Sequence, residues 1–437
     1  MGHLAGKDLY RNLGRKIDGL TVRTPWNKTF YSILSELYTR EEADVLIRMP
    51  YGLSPFARLR EITRYESGHL EKVLNSLCSK GLVLDVWARE EYHYAPSPLM
   101  IGIFEFTMMR AGNEPHTKKI ASLFHEYLQS GDHFYDANFG NGEKVSIVRA
   151  LPHERAIKRT EHVEILDYEK AAALVDANEK FSIGLCSCRH EKSHIGRKEC
   201  DTPLETCSSF GMGAAYLIRH GFAREVSRSE MMENIERSRE LGLVLSADNV
   251  KRNVTFMCHC CKCCCNVLLG ISKFGYPNTM VTSTFIAATD QVLCLGCGKC
   301  AEACPVGAIT MVPSDDPKSK KKRTKKIDTS LCLGCGVCAL RCKTKALFLV
   351  KRGQRVLHPE TTFERIILQC LERGTLQNQM FDNPRSITHR FLRAFAGAAL
   401  SLPPVKKALL SDTLRSRFLA AMEDAVRKQG KGWAVDI

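Results

Sequence analysis

The sequence predicts an α+β protein of several domains, on three observations. The chain has 437 residues, more than one hydrophobic core ordinarily serves. Its apolar pattern switches repeatedly between the helical and the strand period. Its twenty cysteines are gathered mostly in the middle of the chain. Five segments follow: a helix-and-hairpin module at 28–97, a helical and mixed connector at 98–180, a mixed α/β cysteine-rich domain at 181–275, a domain built on a cysteine repeat at 286–350, and a helical region at 357–437.

Apolar residues make up 44% and charged residues 25%, an ordinary globular balance. No apolar run reaches the roughly 18 residues of a bilayer span. The start, MGHLAGKDLYRNLGRK, lacks the apolar h-region of a secretory signal. A soluble cytoplasmic protein is expected. Thiols stay reduced there, so clustered cysteines point to metal rather than disulfides. The net charge of +15 suits an acidic protein, a nucleic acid or an anionic membrane.

In the first module, Thr39-Arg40-Glu41-Glu42 has the form of a capping box that opens a helix. Ser54 followed by Pro55 opens a second, with proline at the first helical position. Ser67 opens a third, in which Leu70, Val73, Leu74, Leu77 and Cys78 form one apolar stripe and Gly81 ends it. LVLDVW, the charged turn AREE and YHY then read as a hairpin. Helices followed by a two-stranded wing resemble a winged helix-turn-helix, which implies DNA binding, or else a scaffold or protein-docking role. Acidic residues slightly outnumber basic ones over 28–97, and phosphate neutralisation needs the reverse, so DNA is an unfavoured partner.

The connector reads as helical, then mixed. FSIGLC (181–186) reads as a buried strand that delivers Cys186 and Cys188 at its end. FGMGAAYLIRHG reads as a helix. Its Gly211 and Gly213 do not make a dinucleotide fingerprint, because Tyr216 stands where the third glycine belongs, so close helix packing explains them. Ser227-Arg228-Ser229-Glu230 is a further capping box, and GLVLSADNV follows its helix. The stretch TFMCHCCKCCCNV (255–267) then packs Cys258, Cys260, Cys261, Cys263, Cys264 and Cys265 into eight positions. With Cys186, Cys188, Cys200 and Cys207 this makes ten candidate metal ligands, of the thiolate type that suits soft metals and Fe–S clusters. In extended chain Cys258, Cys260 and Cys264 face one way and Cys261, Cys263 and Cys265 the other. That leaves two sites, or one site with spare sulfurs. A further Fe–S cluster is favoured, a second one is left open, and zinc is the alternative. His259 is a ligand or, by preference, a neighbour of the ligands.

The next domain contains a repeat at an offset of 38: CLGCGKCAEACP (294–305) and CLGCGVCALRCK (332–343). Both read C-x2-C-x2-C-x3-C, the spacing of bacterial two-cluster iron–sulfur proteins. Three cysteines wrap one four-iron cube while the fourth reaches the other. Cys294, Cys297, Cys300 and Cys342 therefore hold one [4Fe–4S] cluster, and Cys332, Cys335, Cys338 and Cys304 the second. Gly296, Gly298, Gly334 and Gly336 permit the turns. This region resembles a two-cluster bacterial ferredoxin, which implies a βαββαβ fold and one-electron transfer at low potential. Lys343 departs from the usual proline, and the connector carries the basic run KSKKKRTKK (318–326). Lys299, Arg341 and Lys343 should favour added electrons, and the basic run should dock an acidic redox partner.

In the last segment Phe363, Ile366, Ile367, Cys370 and Leu371 form one helical face, which makes Cys370 core. HRFLRAFAGAALSLPPVKKALL is amphipathic with basic flanks. Packing in a bundle is expected, with peripheral contact on a membrane as the alternative. The whole layout resembles a group of large ferredoxin-like iron–sulfur proteins of anaerobic prokaryotes, through the winged-helix-like front, LCSCRHEKSHIGRKECDTPLETCSSFG, FMCHCCKCCCNVL, the repeat and the helical tail. That resemblance implies electron transfer. No Walker motif, complete dinucleotide fingerprint or catalytic triad is present, and no catalytic residue is named. The expected function is an electron carrier or the electron-transfer subunit of a larger oxidoreductase. The alternatives are an oxidoreductase that reduces a substrate at 186–265 and a redox-sensing DNA-binding regulator.

Overall fold

The computed structural model describes residues 2–110, 112, 115–158, 165–314, 323–353, 356 and 358–436. The N-terminal part is helical, with one small sheet. Helix Gly2–Asp18 packs on helices Lys28–Leu37 and Arg40–Arg48. Thr39 and Glu42 close a reciprocal cap: Thr39 Oγ1 accepts from the Glu42 amide at 3.2 Å, and Glu42 Oε2 accepts from the Thr39 amide at 2.8 Å. Glu42 also accepts from Lys80 Nζ and Ser76 Oγ, both at 2.7 Å, so one carboxylate ties this helix to helix Ser67–Ser79.

Two local expectations shift here. Ser54–Pro55 forms a two-residue strand, β1, and the helix runs Phe56–Thr63 with Pro55 as its N-cap. Glu66, not Ser67, caps the third helix, because its longer carboxylate reaches the amides of Gly68 and His69. The hairpin of β2 (Val83–Ala88) and β3 (Glu91–Pro96) turns through Arg89 and Glu90, both at positive φ (51° and 64°). That is the primed turn whose twist matches the strands, built here without glycine. The sheet order is β1-β3-β2. The core of this module extends past 28–97 at both ends: Leu13 and Ile17 enter it from one side, Phe104, Phe124, Leu128 and Phe134 from the other. The connector helices Phe104–Arg110 and Pro115–Gln129 thus belong to the same packed unit.

The middle of the chain forms a six-stranded antiparallel sheet of β4 (Val148–Ala150), β5 (Phe181–Leu185), β6 (Glu205–Phe210), β7 (Ala223–Val226), β8 (Val244–Asp248) and β9 (Phe256–Cys260), ordered β4-β8-β9-β6-β5-β7. The edge strand β4 comes from the connector. Phe181, Ile183, Phe210, Leu245, Ala247 and Met257 pack against Met231 and Ile235 of helix Arg228–Leu241. Helix Gly211–Arg219 comes so close to the chain before β9 that a Cβ on Gly213 would lie 2.6 Å from the Thr255 carbonyl oxygen. The glycine there serves packing.

The repeat region runs β10 (Phe285–Thr289), helix Lys299–Ala303, β11 (Ile309–Pro313), β12 (Arg323–Ile327), helix Val337–Leu340 and β13 (Leu347–Lys351), with β10 paired to β13 and β11 to β12, both antiparallel. Of the basic run, 318–322 lies outside the described residues and 323–326 is in β12.

The tail is helical, over Thr362–Arg373, Leu376–Met380, Ile387–Ser401, Pro403–Leu410 and Asp412–Lys428. Cys370 is buried with Ile367, Leu371 and Leu419, and Cys78 lies in the first core. The segment HRFLRAFAGAALSLPPVKKALL packs only in part: Leu400, Leu409 and Leu410 lie against the Cys370 cluster. Helix Ile387–Ser401 has no buried residue, and Ile387, Phe391 and Phe395 are 75%, 71% and 69% exposed. No helix among the described residues is long and apolar enough to cross a membrane.

Candidate metal centres

The two cysteine runs adopt the same local form. Each passes through two glycines of positive φ into a short helix, with Gly298 and Gly336 both at φ 82° as the N-caps. At Gly334 the requirement is strictest, since a Cβ would lie 2.1 Å from the Phe285 carbonyl oxygen.

Cys304, Cys332, Cys335 and Cys338 line one small cavity, walled by Val306, Ile309, Leu333 and Leu349. The last cysteine of the first run thus joins the first three of the second. Four thiols around an apolar void suit a four-iron cube, which takes one thiolate per iron. Burial pushes the Cys335 thiol up to about 12, so this group is neutral until a metal binds it.

The other set is wetter. Cys297 is exposed, while Cys294 and Cys300 are buried. Lys325 Nζ lies 3.4 Å from Cys294 Sγ, and its charge also acts on Cys300 and Cys342. Burial opposes ionisation of Cys342, but the Thr344 hydroxyl and the Leu347 and Ala346 amides hold its pKa below the usual thiol value. Arg341, expected beside the sulfurs, instead donates to the Leu241 carbonyl at 2.9 Å, at the C-terminal end of helix Arg228–Leu241. The sequence reading placed Lys325 only in the basic run, not beside a sulfur, because it lies 31 positions from Cys294 and is brought back by the β11–β12 hairpin.

The dense cysteine stretch is extended only as far as Cys260. A turn follows over 262–264, and Cys265 is the N-cap of helix Asn266–Ser272. Strict alternation therefore fails after β9. Cys265 groups with Cys258 and Cys260, and Cys264 groups with Cys261 and Cys263, the reverse of the alternating pattern for these two residues.

Six thiols form the first group. The register Ser208↔Met257 sets Cys207 beside Cys258. Thiol contacts then run from Cys207 to Cys258, Cys260, Cys265 and Cys188, and Cys186 interacts with Cys188 and Cys207. Cys186 ends β5 as the N-cap of helix Ser187–His194, which carries Cys188 in its first turn. Behind them lies a buried polar network. Lys192 Nζ donates to Glu191 at 2.7 Å, Asn266 Nδ2 to Glu191 at 3.1 Å, and Gln129 Nε2 to Asn266 at 3.0 Å. It ties the helix that carries Cys188 to the start of the helix that Cys265 caps.

The six thiols border a cavity of about 750 Å³, also lined by Ile101, Glu105, Met109, Tyr135, Met212 and Phe363. Burial raises the Glu105 carboxyl to about 7. His259 points to the opposite face of β9, where its ring nitrogens meet Ser238 Oγ at 2.7 Å and Ser208 Oγ at 2.8 Å. Burial drives its pKa to about 3, so the ring is neutral and engaged, a neighbour of the cysteines and not one of the group.

Cys200, Cys261, Cys263 and Cys264 form the second group, with their four sulfurs all within 4.8 Å of one another. Fully buried Arg189 stands between the groups. It donates to the Pro203 carbonyl (2.7 Å), Thr206 Oγ1 (2.8 Å) and the His259 carbonyl (2.7 Å), and interacts with the thiols of Cys186 and Cys261. A buried arginine between thiols was legible only as a position in the sequence, since two of its three hydrogen-bond acceptors are backbone carbonyls.

Residues 293–346 match the family model of a 4Fe-4S dicluster domain. No curated protein and no solved structure matches the chain. The dicluster domain and the abundance of cysteine support an iron–sulfur electron-transfer role.

Proposed function

We propose that the protein is an electron carrier, or the electron-transfer subunit of a larger oxidoreductase, with two [4Fe–4S] clusters and a further Fe–S cluster among the six thiols. Cys294, Cys297, Cys300 and Cys342 would hold one cube and Cys332, Cys335, Cys338 and Cys304 the other. The observation that carries this reading is the cavity shared by Cys304 with Cys332, Cys335 and Cys338. Bound cubes supply one-electron chemistry, at potentials set by charge, hydrogen bonds and exposure. Among the chain's own residues, Lys325 offsets negative charge at the wetter set, and the Ala308 amide donates to Cys304 Sγ at 3.2 Å. Exposed Cys297 with exposed Val292 and Leu295 marks the face for electron exchange. The basic run at 318–326 attracts an acidic redox protein. Iron and sulfide counted per chain test the reading.

One observation favours a second reading, in which the protein reduces a substrate: the six thiols face a cavity large enough for a small molecule. Glu105 would then hold a proton beside it. Steady reduction of a small molecule by the isolated, dithionite-reduced protein is expected on this reading, and its absence across a broad panel contradicts it.

The tail supplies a further contact. Ile387, Phe391 and Phe395 lie at i, i+4 and i+8 on one exposed face, with Arg390 in the same helix and Lys406 and Lys407 in the next. An apolar stripe with basic flanks fits the interface of an anionic bilayer, as a peripheral contact.

A further inference from the structure

The ten cysteines outside the repeat are divided by geometry as well as by number. Cys200 Sγ lies 3.6 Å from Cys261 Sγ, and Cys263 Sγ lies 3.5 Å from Cys264 Sγ. Sulfurs at about 2.3 Å from one tetrahedral zinc would stand about 3.8 Å apart. A four-iron cube instead spreads its thiolates, each on a different iron. The same molecule provides the contrast: among the described residues, the eight repeat cysteines are not drawn into so compact a set.

We propose that Cys200, Cys261, Cys263 and Cys264 bind a single zinc ion as a closed tetrathiolate, separate from the six-thiol site. Four protein ligands leave no open position, which makes the site structural. Its purpose follows from where the ligands lie. Cys200 belongs to the loop that joins helix Ser187–His194 to β6, and the other three belong to the turn that joins β9 to helix Asn266–Ser272. One ion would staple that loop to that turn. The flanking elements carry all six thiols of the neighbouring site, so the staple holds their spacing. The chemistry is consistent. Four thiolates on a divalent ion leave two negative charges, and the buried Arg189 guanidinium faces Cys261, with its Nε free of hydrogen-bond partners among the described residues. Leu243 packs against Cys261 and Cys264 and shields one side from water.

This inference goes beyond the electron-transfer reading and does not depend on it. The test is elemental analysis of the full chain, purified without oxygen, together with Cys200→Ser and Cys263→Ser. The parent is expected to carry about one zinc per chain. Both variants are expected to lose it while the iron of the repeat and its electron-paramagnetic signals persist. A parent free of zinc overturns the proposal, since the four sulfurs would then hold something else. If the variants fail to fold, zinc-edge X-ray absorption of the parent decides. Four sulfurs at about 2.3 Å support the site, and nitrogen or oxygen in the shell refutes it. A preparation with zinc and no iron would contradict the electron-transfer reading and leave this one standing.

Discussion

Lys325 Nζ lies 3.4 Å from Cys294 Sγ. Removing a positive charge there disfavours the added electron. Lys325→Gln is expected to lower the potential of the more exposed cluster by roughly 50 mV, the one-electron equivalent of about 1 kcal/mol of charge interaction. Potentiometric titration checks this, and an unchanged potential would show that the contact has no electronic effect. His358 offers a test of pH dependence. Burial, then the charges of Arg149 and Lys251, lower its pKa to about 3, and its ring meets Asn249 Oδ1 at 2.8 Å. The unfolded chain binds this proton near pH 6.5 and the folded chain does not, so stability falls as pH drops from about 6.5 towards 3, by at most about 1.4 kcal/mol per pH unit. His358→Phe, which can still pack on Tyr168, should make that decline shallower in denaturant melts from pH 7 to 4.5; an identical slope would refute the assignment. At this scale the repeat cysteines were legible because their spacing is itself a ligand pattern. The split of the other ten was not. It depends on where β9 ends and a turn begins, and that exchanges Cys264 with Cys265.

The elements were read best where periodicity and capping agreed. Helix Ser67–Ser79 and strand β5 lie where the apolar pattern places them, and helix Arg228–Leu241 where its capping box does. Strand β1 left no such mark. It has two residues, and its pairing with Tyr94 and His93 leaves no periodic trace. The amphipathic helix Ile387–Ser401 shows a different limit. Its pattern reveals an apolar face but not whether another element covers it. Because Phe391 and Phe395 stay exposed, the full chain is expected to sediment with vesicles rich in anionic lipid and not with neutral ones. Phe391→Ala with Phe395→Ala should reduce the bound fraction several-fold while the fold is kept, since neither ring is buried. Equal binding by parent and double variant would place the contact elsewhere.

Over the whole molecule, long-range contacts join what the sequence divides. Arg58 makes two bonds to the Asp382 carboxylate, at 2.9 and 2.7 Å, across 324 positions. Arg219 Nη2 and His220 Nε2 both reach Asp85 Oδ1 at 2.8 Å, which fastens the six-stranded sheet's helix to the first hairpin. β4 is lent to that sheet by the connector, and the first core draws on residues from Leu13 to Tyr135. Segment boundaries set by composition could not show this, because a shared core needs no linker. The consequence is functional. The large cavity lies where the N-terminal helices, the six-stranded sheet and the tail meet, so the six thiols sit at a junction of all three. The central claim is that this scaffold exists to hold iron–sulfur clusters, and counting iron and acid-labile sulfide per folded chain, in an oxygen-free preparation, tests it most directly. About eight of each are expected for the repeat alone and about twelve with a cube among the six thiols. A folded, colourless chain with neither iron nor sulfide would contradict it.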